Sequence, residues 1–192
     1  MTMKPAIFFF LNESVVTVLL GFLGSLLAGV VLTGRAVMDW TSPAFQYLVY
    51  GAGTAALYVL WRKRGFWEST TFALSFALYC AIPVHNLFLE TFVNSALFFL
   101  FACISFPLIW NVIGDRLPVG KCLFLGLSLA LLETMKTPIL GSILGAHDVL
   151  TATTVNAFLG GTIGFGVGLG VEVAGKIFSL PQRRKKDAKP LS

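Results

Sequence analysis

The chain has 192 residues, of which 56% are apolar and 12% charged, with a net charge of +5. A charged share about half that of soluble domains cannot cover the surface of a water-soluble fold of this length, which excludes a soluble enzyme or regulator. The long apolar runs instead predict an all-α, polytopic membrane helix bundle, with room for about six spans of about 20 residues each.

In chain order, residues 6–11 are apolar and read as an interfacial lead-in. Asn12 is placed to cap the helix that follows, with Glu13 in its first turn. Spans are expected near 14–33, 44–60, 66–81, 92–113, 122–144 and 154–177. The first run precedes Gly34 and Arg35, shows no A-x-A-like cleavage site and is long enough to remain as a span. In the third, Pro83 either ends the helix or kinks it. Residues 1–180 thus read as one transmembrane domain, followed by a basic tail over 181–192.

Orientation comes from the basic residues. Six spans place Lys4, Arg62-Lys63-Arg64, Arg116 with Lys121, and Arg183-Arg184-Lys185-Lys186 on one side. The opposite loops carry Arg35 with Asp39, His85, Glu90, His147 and Asp148. The positive-inside rule then puts both termini in the cytoplasm. A basic tail beside a span is a topology signal and a contact for anionic lipid, and no nucleic-acid partner is expected.

Glu133 and Lys136 interrupt the fifth span. Opposite charges inside a bilayer are costly unless paired or turned toward a polar interior, and three residues apart on a helix they can reach each other. Thr134 and Thr137 can donate to the backbone or to the pair, and Pro138 releases a carbonyl of the preceding turn. The bland reading is an ion pair that fixes helix rotation. The functional reading is a ligand-binding site made of Glu133, Lys136 and Thr137, with Thr153 and Asn156 as partners from the sixth span.

That sixth span contains Gly160, Gly161, Gly164, Gly166, Gly168, Gly170 and Gly175. Gly160, Gly164 and Gly168 recur every fourth residue and predict a strip for close helix packing. Gly166 and Gly170 point roughly half a turn away, where larger side chains are expected to be tolerated. Glu172 and Lys176 extend the strip as an i,i+4 pair. Gly21, Ser25 and Gly29 form a weaker strip in the first span. The strip serves either packing within the bundle or docking of a partner.

His85, Glu90, His147 and Asp148 on the outer side are the candidate metal ligands, but no H-x-x-x-H or H-E-x-x-H spacing joins them, so no metal site is assigned. Cys80, Cys103 and Cys122 are too widely spaced for a disulfide framework or a metal motif and read as small buried side chains. No nucleophile elbow, phosphate-cradling loop or redox cysteine pair is present, and the sequence names no cofactor.

The segment Leu132-Glu133-Thr134-Met135-Lys136, then His147-Asp148, then Asn156-Ala157-Phe158-Leu159-Gly160-Gly161-Thr162-Ile163-Gly164 resembles the C-terminal half of VanZ-like membrane proteins. That family carries an intramembrane E-x-x-Q, a loop with Arg and Asp, and N-x-x-G-x-x-x-G opening its last helix. Glu133 and Asn156 match. Lys136 replaces the glutamine, the loop arginine is missing, and Gly160 and Gly164 fall one residue late. The resemblance implies a multi-pass protein of the bacterial inner membrane linked to the cell envelope, with no established chemistry. In topology the chain is also similar to the substrate-binding S-components of energy-coupling factor transporters, whose small-residue first helix would correspond to Gly21, Ser25 and Gly29.

Three functions fit these residues. The first is binding or transport of a small molecule or lipid at a polar site around Glu133 and Lys136. The second is a non-catalytic subunit that docks a membrane-protein partner or a second copy through the sixth helix. The third, an enzyme using the outer His and carboxylate groups on envelope lipids, is disfavoured because those groups are dispersed.

Overall fold

The computed structural model describes residues 5–33, 43–82, 88–113, 120–144 and 148–187. Over these residues the chain is six helices and no strand: α1 (Pro5–Thr33), α2 (Pro43–Arg64), α3 (Phe66–Ala81), α4 (Phe88–Val112), α5 (Gly120–Leu144) and α6 (Val149–Asp187). In hydrocarbon, backbone N–H and C=O groups find no water, so helices that satisfy them internally are what these apolar runs form. Hydroxyl side chains follow the same rule. Thr17, Thr71, Ser142 and Thr154 each donate to the carbonyl four residues earlier.

Four of the helices are long and apolar enough to cross a membrane, over Glu13–Val31, Leu89–Val112, Gly120–Ser142 and Val149–Ser179. These features mark an integral membrane protein. The other two helices are α2 and α3. With 16 residues, α3 is about 24 Å long, less than the roughly 30 Å of a hydrocarbon core.

Helix boundaries depart from expectation at both ends of the chain. α1 begins at Pro5 instead of after Asn12, so Asn12 lies inside the helix and does not cap it. Proline suits a first helical position because its missing N–H has no partner there anyway. α6 runs 39 residues to Asp187, through Pro181, so the expected boundary between membrane domain and tail at 180 falls within one helix.

Consecutive helices alternate in direction. α2 and α3 are joined by Gly65 alone, whose φ of 96° lies where a side chain is strained. That turn folds α3 back on α2, and Gly53 of α2 lies beside the ring of Phe76 of α3. α6 is the central element, with α5 on one side and α1 on the other. Its glycines explain the arrangement. A Cβ at Gly168 would lie 2.5 Å from Cys122 Cα, and one at Gly164 would strike the carbonyl of Leu125, so this face fits against α5. Gly166 and Gly170 do not face open space, contrary to expectation. They fit against α1, at the carbonyls of Gly24 and Leu20. Both faces of α6 therefore need glycine, because backbone meets backbone on each.

The weaker α1 strip has a partner too: Gly21 meets Ala55 and Ser25 meets Gly51, both on α2. Between the helices lies an aromatic core. Tyr58, Trp61, Phe106, Trp110 and Phe124 have ring centroids 5.1–6.5 Å apart, mostly edge-on or tilted. Such geometries suit the ring quadrupoles and supply dispersion where lipid gives no hydrophobic drive for association.

Candidate functional site

In α5, which continues through Pro138, Glu133 and Lys136 are 6% and 5% exposed. Lys136 Nζ donates to Glu133 Oε1 at 2.8 Å, and Thr137 Oγ1 donates to Glu133 Oε2 at 3.2 Å. Both carboxylate oxygens are thus engaged from the same helix. Thr134 turns outward and donates to the carbonyl of Leu131. Asn156 of α6 reaches across and donates through Nδ2 to Thr137 Oγ1 at 3.2 Å. Thr153 does not join this network: it donates to the carbonyl of Val149 in its own helix at 2.6 Å. A hydroxyl at a helix surface satisfies itself on the preceding turn more easily than across a helix gap.

The pair borders a cavity of about 200 Å³, lined by Tyr50 of α2, Asn94 and Phe98 of α4, Glu133 and Lys136 of α5, and Asn156 of α6, with Leu140, Leu159, Gly160 and Ile163 completing the wall. Lys136 Nζ lies 5.4 Å from the centroid of the Phe98 ring, within range of a cation–π contact. Asn94 Nδ2 donates to Tyr50 Oη at 3.1 Å, and Tyr50 Oη lies 3.3 Å from Ser95 Oγ. Gly160 belongs to the site as well as to the packing strip. A Cβ there would lie 2.8 Å from Glu133 Cγ, so the bare backbone gives the glutamate room.

Tyr50 and Asn156 each lie seven residues into their helices, Asn94 six residues into α4, and Lys136 eight residues before the end of α5. At 1.5 Å per residue these positions share one depth, about 9–12 Å from the bundle end opposite Arg62, Lys63 and Lys121. Four separate helices deliver polar groups to a single level.

Sequence reasoning missed Tyr50, Asn94, Ser95 and Phe98. Asn94-Ser95 inside an apolar run was a usable signal, because an amide in hydrocarbon needs partners. Tyr50 and Phe98 carried none, since aromatic side chains are ordinary in membrane helices.

The other expected groups fall elsewhere. Asp148 caps α6, accepting from the Thr151 backbone N–H at 3.2 Å. Glu90 is exposed in the first turn of α4. His85 and His147 lie outside the described residues, among which no group of three or more potential metal ligands converges. Glu172 pairs with Lys121 of α5 at 3.8 Å instead of Lys176, and also accepts from the Lys121 backbone N–H at 3.1 Å. Cys103 and Cys122 are buried and Cys80 half-buried, all as free thiols.

Compared with protein-family models, curated proteins and solved structures, the chain matches none.

Proposed function

We propose that this integral membrane protein has six spans with both termini cytoplasmic, and binds or translocates a small polar molecule or a lipid headgroup in the cavity beside Glu133 and Lys136. The observation that carries the proposal is the convergence of polar side chains from α2, α4, α5 and α6 on one cavity at one depth. A charge pair needed only to fix the rotation of α5 would not require Tyr50, Asn94 and Asn156 around an open space. The lining residues lie nearer the helix ends that lack the basic runs, so in this reading the ligand enters from the outer side.

The likeness to VanZ-like proteins belongs to the same proposal. Glu133 and Asn156, the two positions that carry it, both line the cavity. The likeness supplies no reaction. The subunit reading loses its proposed surface, since Gly160, Gly164 and Gly168 are already covered by α5 of the same chain.

Release of the full chain in mild detergent separates the readings. A small molecule or lipid retained in stoichiometric amount supports the cavity reading. A stoichiometric protein partner with no retained molecule favours the subunit instead.

A further inference from the structure

A second cavity, of about 280 Å³, lies at the opposite end of the bundle, between α1, α2, α5 and α6. Three cations line it, Arg62, Lys63 and Lys121, against one carboxylate, Glu13. Tyr58, Val59 and Val171 add apolar surface to its lining, beside Thr17. From this lining we infer that the cavity is a phosphoryl-anion site, independent of the Glu133 cavity and on the other side of the membrane.

Each cation is held in place by a neighbouring side chain. The Arg62 guanidinium carbon lies 4.2 Å from the Trp110 ring centroid, a cation–π contact that uses the face of a group whose N–H edge suits bidentate recognition of phosphate. Lys63 Nζ donates to Ser14 Oγ at 2.8 Å. Lys121 Nζ stands 3.8 Å from Glu172, beyond the 2.7–2.9 Å of a charge-assisted hydrogen bond, so an anion can compete for it. Basic pockets between helices at the positive end of a membrane protein meet the phosphates of anionic lipid headgroups, and the apolar part of the lining suits a ligand that continues into hydrocarbon. The same cations would take free phosphate.

The test uses the full chain in mild detergent. Melting midpoints are measured against phosphatidylglycerol in mixed micelles, with phosphatidylcholine as reference, and separately against inorganic phosphate at constant ionic strength. Phosphatidylglycerol is expected to raise the midpoint. In Arg62→Gln, and in Lys121→Gln combined with Glu172→Gln, the half-saturating concentration should rise at least about tenfold, the loss of one charge-assisted contact. Arg64→Gln removes the same charge as Arg62→Gln from a side chain that is 68% exposed and pairs with Glu68, and should leave the shift unchanged. An equal response to inorganic phosphate, lost in the same variants, assigns the site to free phosphate; a response to the lipid alone assigns it to a headgroup. The inference is overturned if neither probe shifts the midpoint, or if Arg62→Gln responds as Arg64→Gln does.

Discussion

Lys136 Nζ sits 2.8 Å from Glu133 Oε1 one helical turn earlier, with the two side chains only 6% and 7% exposed. At that burial each charge relies chiefly on the other. Removing one partner strands the other, which costs roughly 3–5 kcal/mol, while replacing both with apolar groups is nearly neutral. Glu133→Leu should therefore lower the detergent melting midpoint far more than Glu133→Leu with Lys136→Met. A double variant less stable than the single would refute the pairing.

Gly160 couples packing to the site. Its substitution by alanine puts a methyl 2.8 Å from Glu133 Cγ and 2.9 Å from the Leu129 carbonyl oxygen. One obstacle is backbone, so the helices must part or the glutamate must move. Gly160→Ala should weaken ligand retention and lower the melting midpoint, whereas Gly161→Ala, whose Cβ meets nothing nearer than 3.5 Å, should be neutral or gain up to about 1 kcal/mol from helix propensity. Equal behaviour of the two variants would deny Gly160 its place beside the glutamate.

Both faces of α6 are filled, and this changes what leucine substitutions should do. Gly164→Leu and Gly168→Leu push into α5; Gly166→Leu and Gly170→Leu push into α1. All four should abolish folding or depress the melting midpoint strongly. Good tolerance at Gly166 and Gly170 would show that α1 does not pack there.

The charge pair, its threonine and Asn156 were legible because ionisable and amide groups stand out in apolar runs and helix spacing joins 133, 136 and 137. The cross-helix partners were not. Helices that are apolar on every side carry little periodicity from which to read rotation, so nothing in the sequence turned Tyr50 and Asn94 toward Glu133, or Gly166 and Gly170 toward α1. Thr153 misled because it neighbours Asn156 on the helix surface, yet a hydroxyl can bond its own helix where an amide must reach outward. The helix ends misled for a local reason. Apolar residues before Asn12 and charged residues after Pro181 both continue a helix once it is nucleated, so composition alone marked boundaries that the backbone does not observe.

The proposed topology makes a separate claim. In a variant free of Cys80, Cys103 and Cys122, an impermeant thiol reagent applied to intact cells should label a cysteine at 40 and spare one at 188. Labelling of both positions, or of neither until the membrane is opened, contradicts six spans with cytoplasmic termini.

Tyr50 connects α2 to α4 through its hydroxyl, which Asn94 reaches at 3.1 Å. Tyr50→Phe keeps the ring and its 4.6 Å contact with Phe98 but removes the hydroxyl. Stability should fall by only about 0.6 kcal/mol, in line with interhelical hydrogen bonds in membranes, while ligand retention should drop by a larger factor. A large loss of stability with retention intact would make this hydroxyl a structural brace and not part of a binding site.

Native mass spectrometry of the chain released from mild detergent compares the wild type with the folded Glu133→Leu, Lys136→Met double variant and reads the cavity's occupancy outright. A one-to-one small-molecule or lipid adduct is expected on the wild type and absent from the variant. An adduct of equal occupancy on both, or none on the wild type under conditions that preserve bound lipids, would contradict a ligand site at this buried pair.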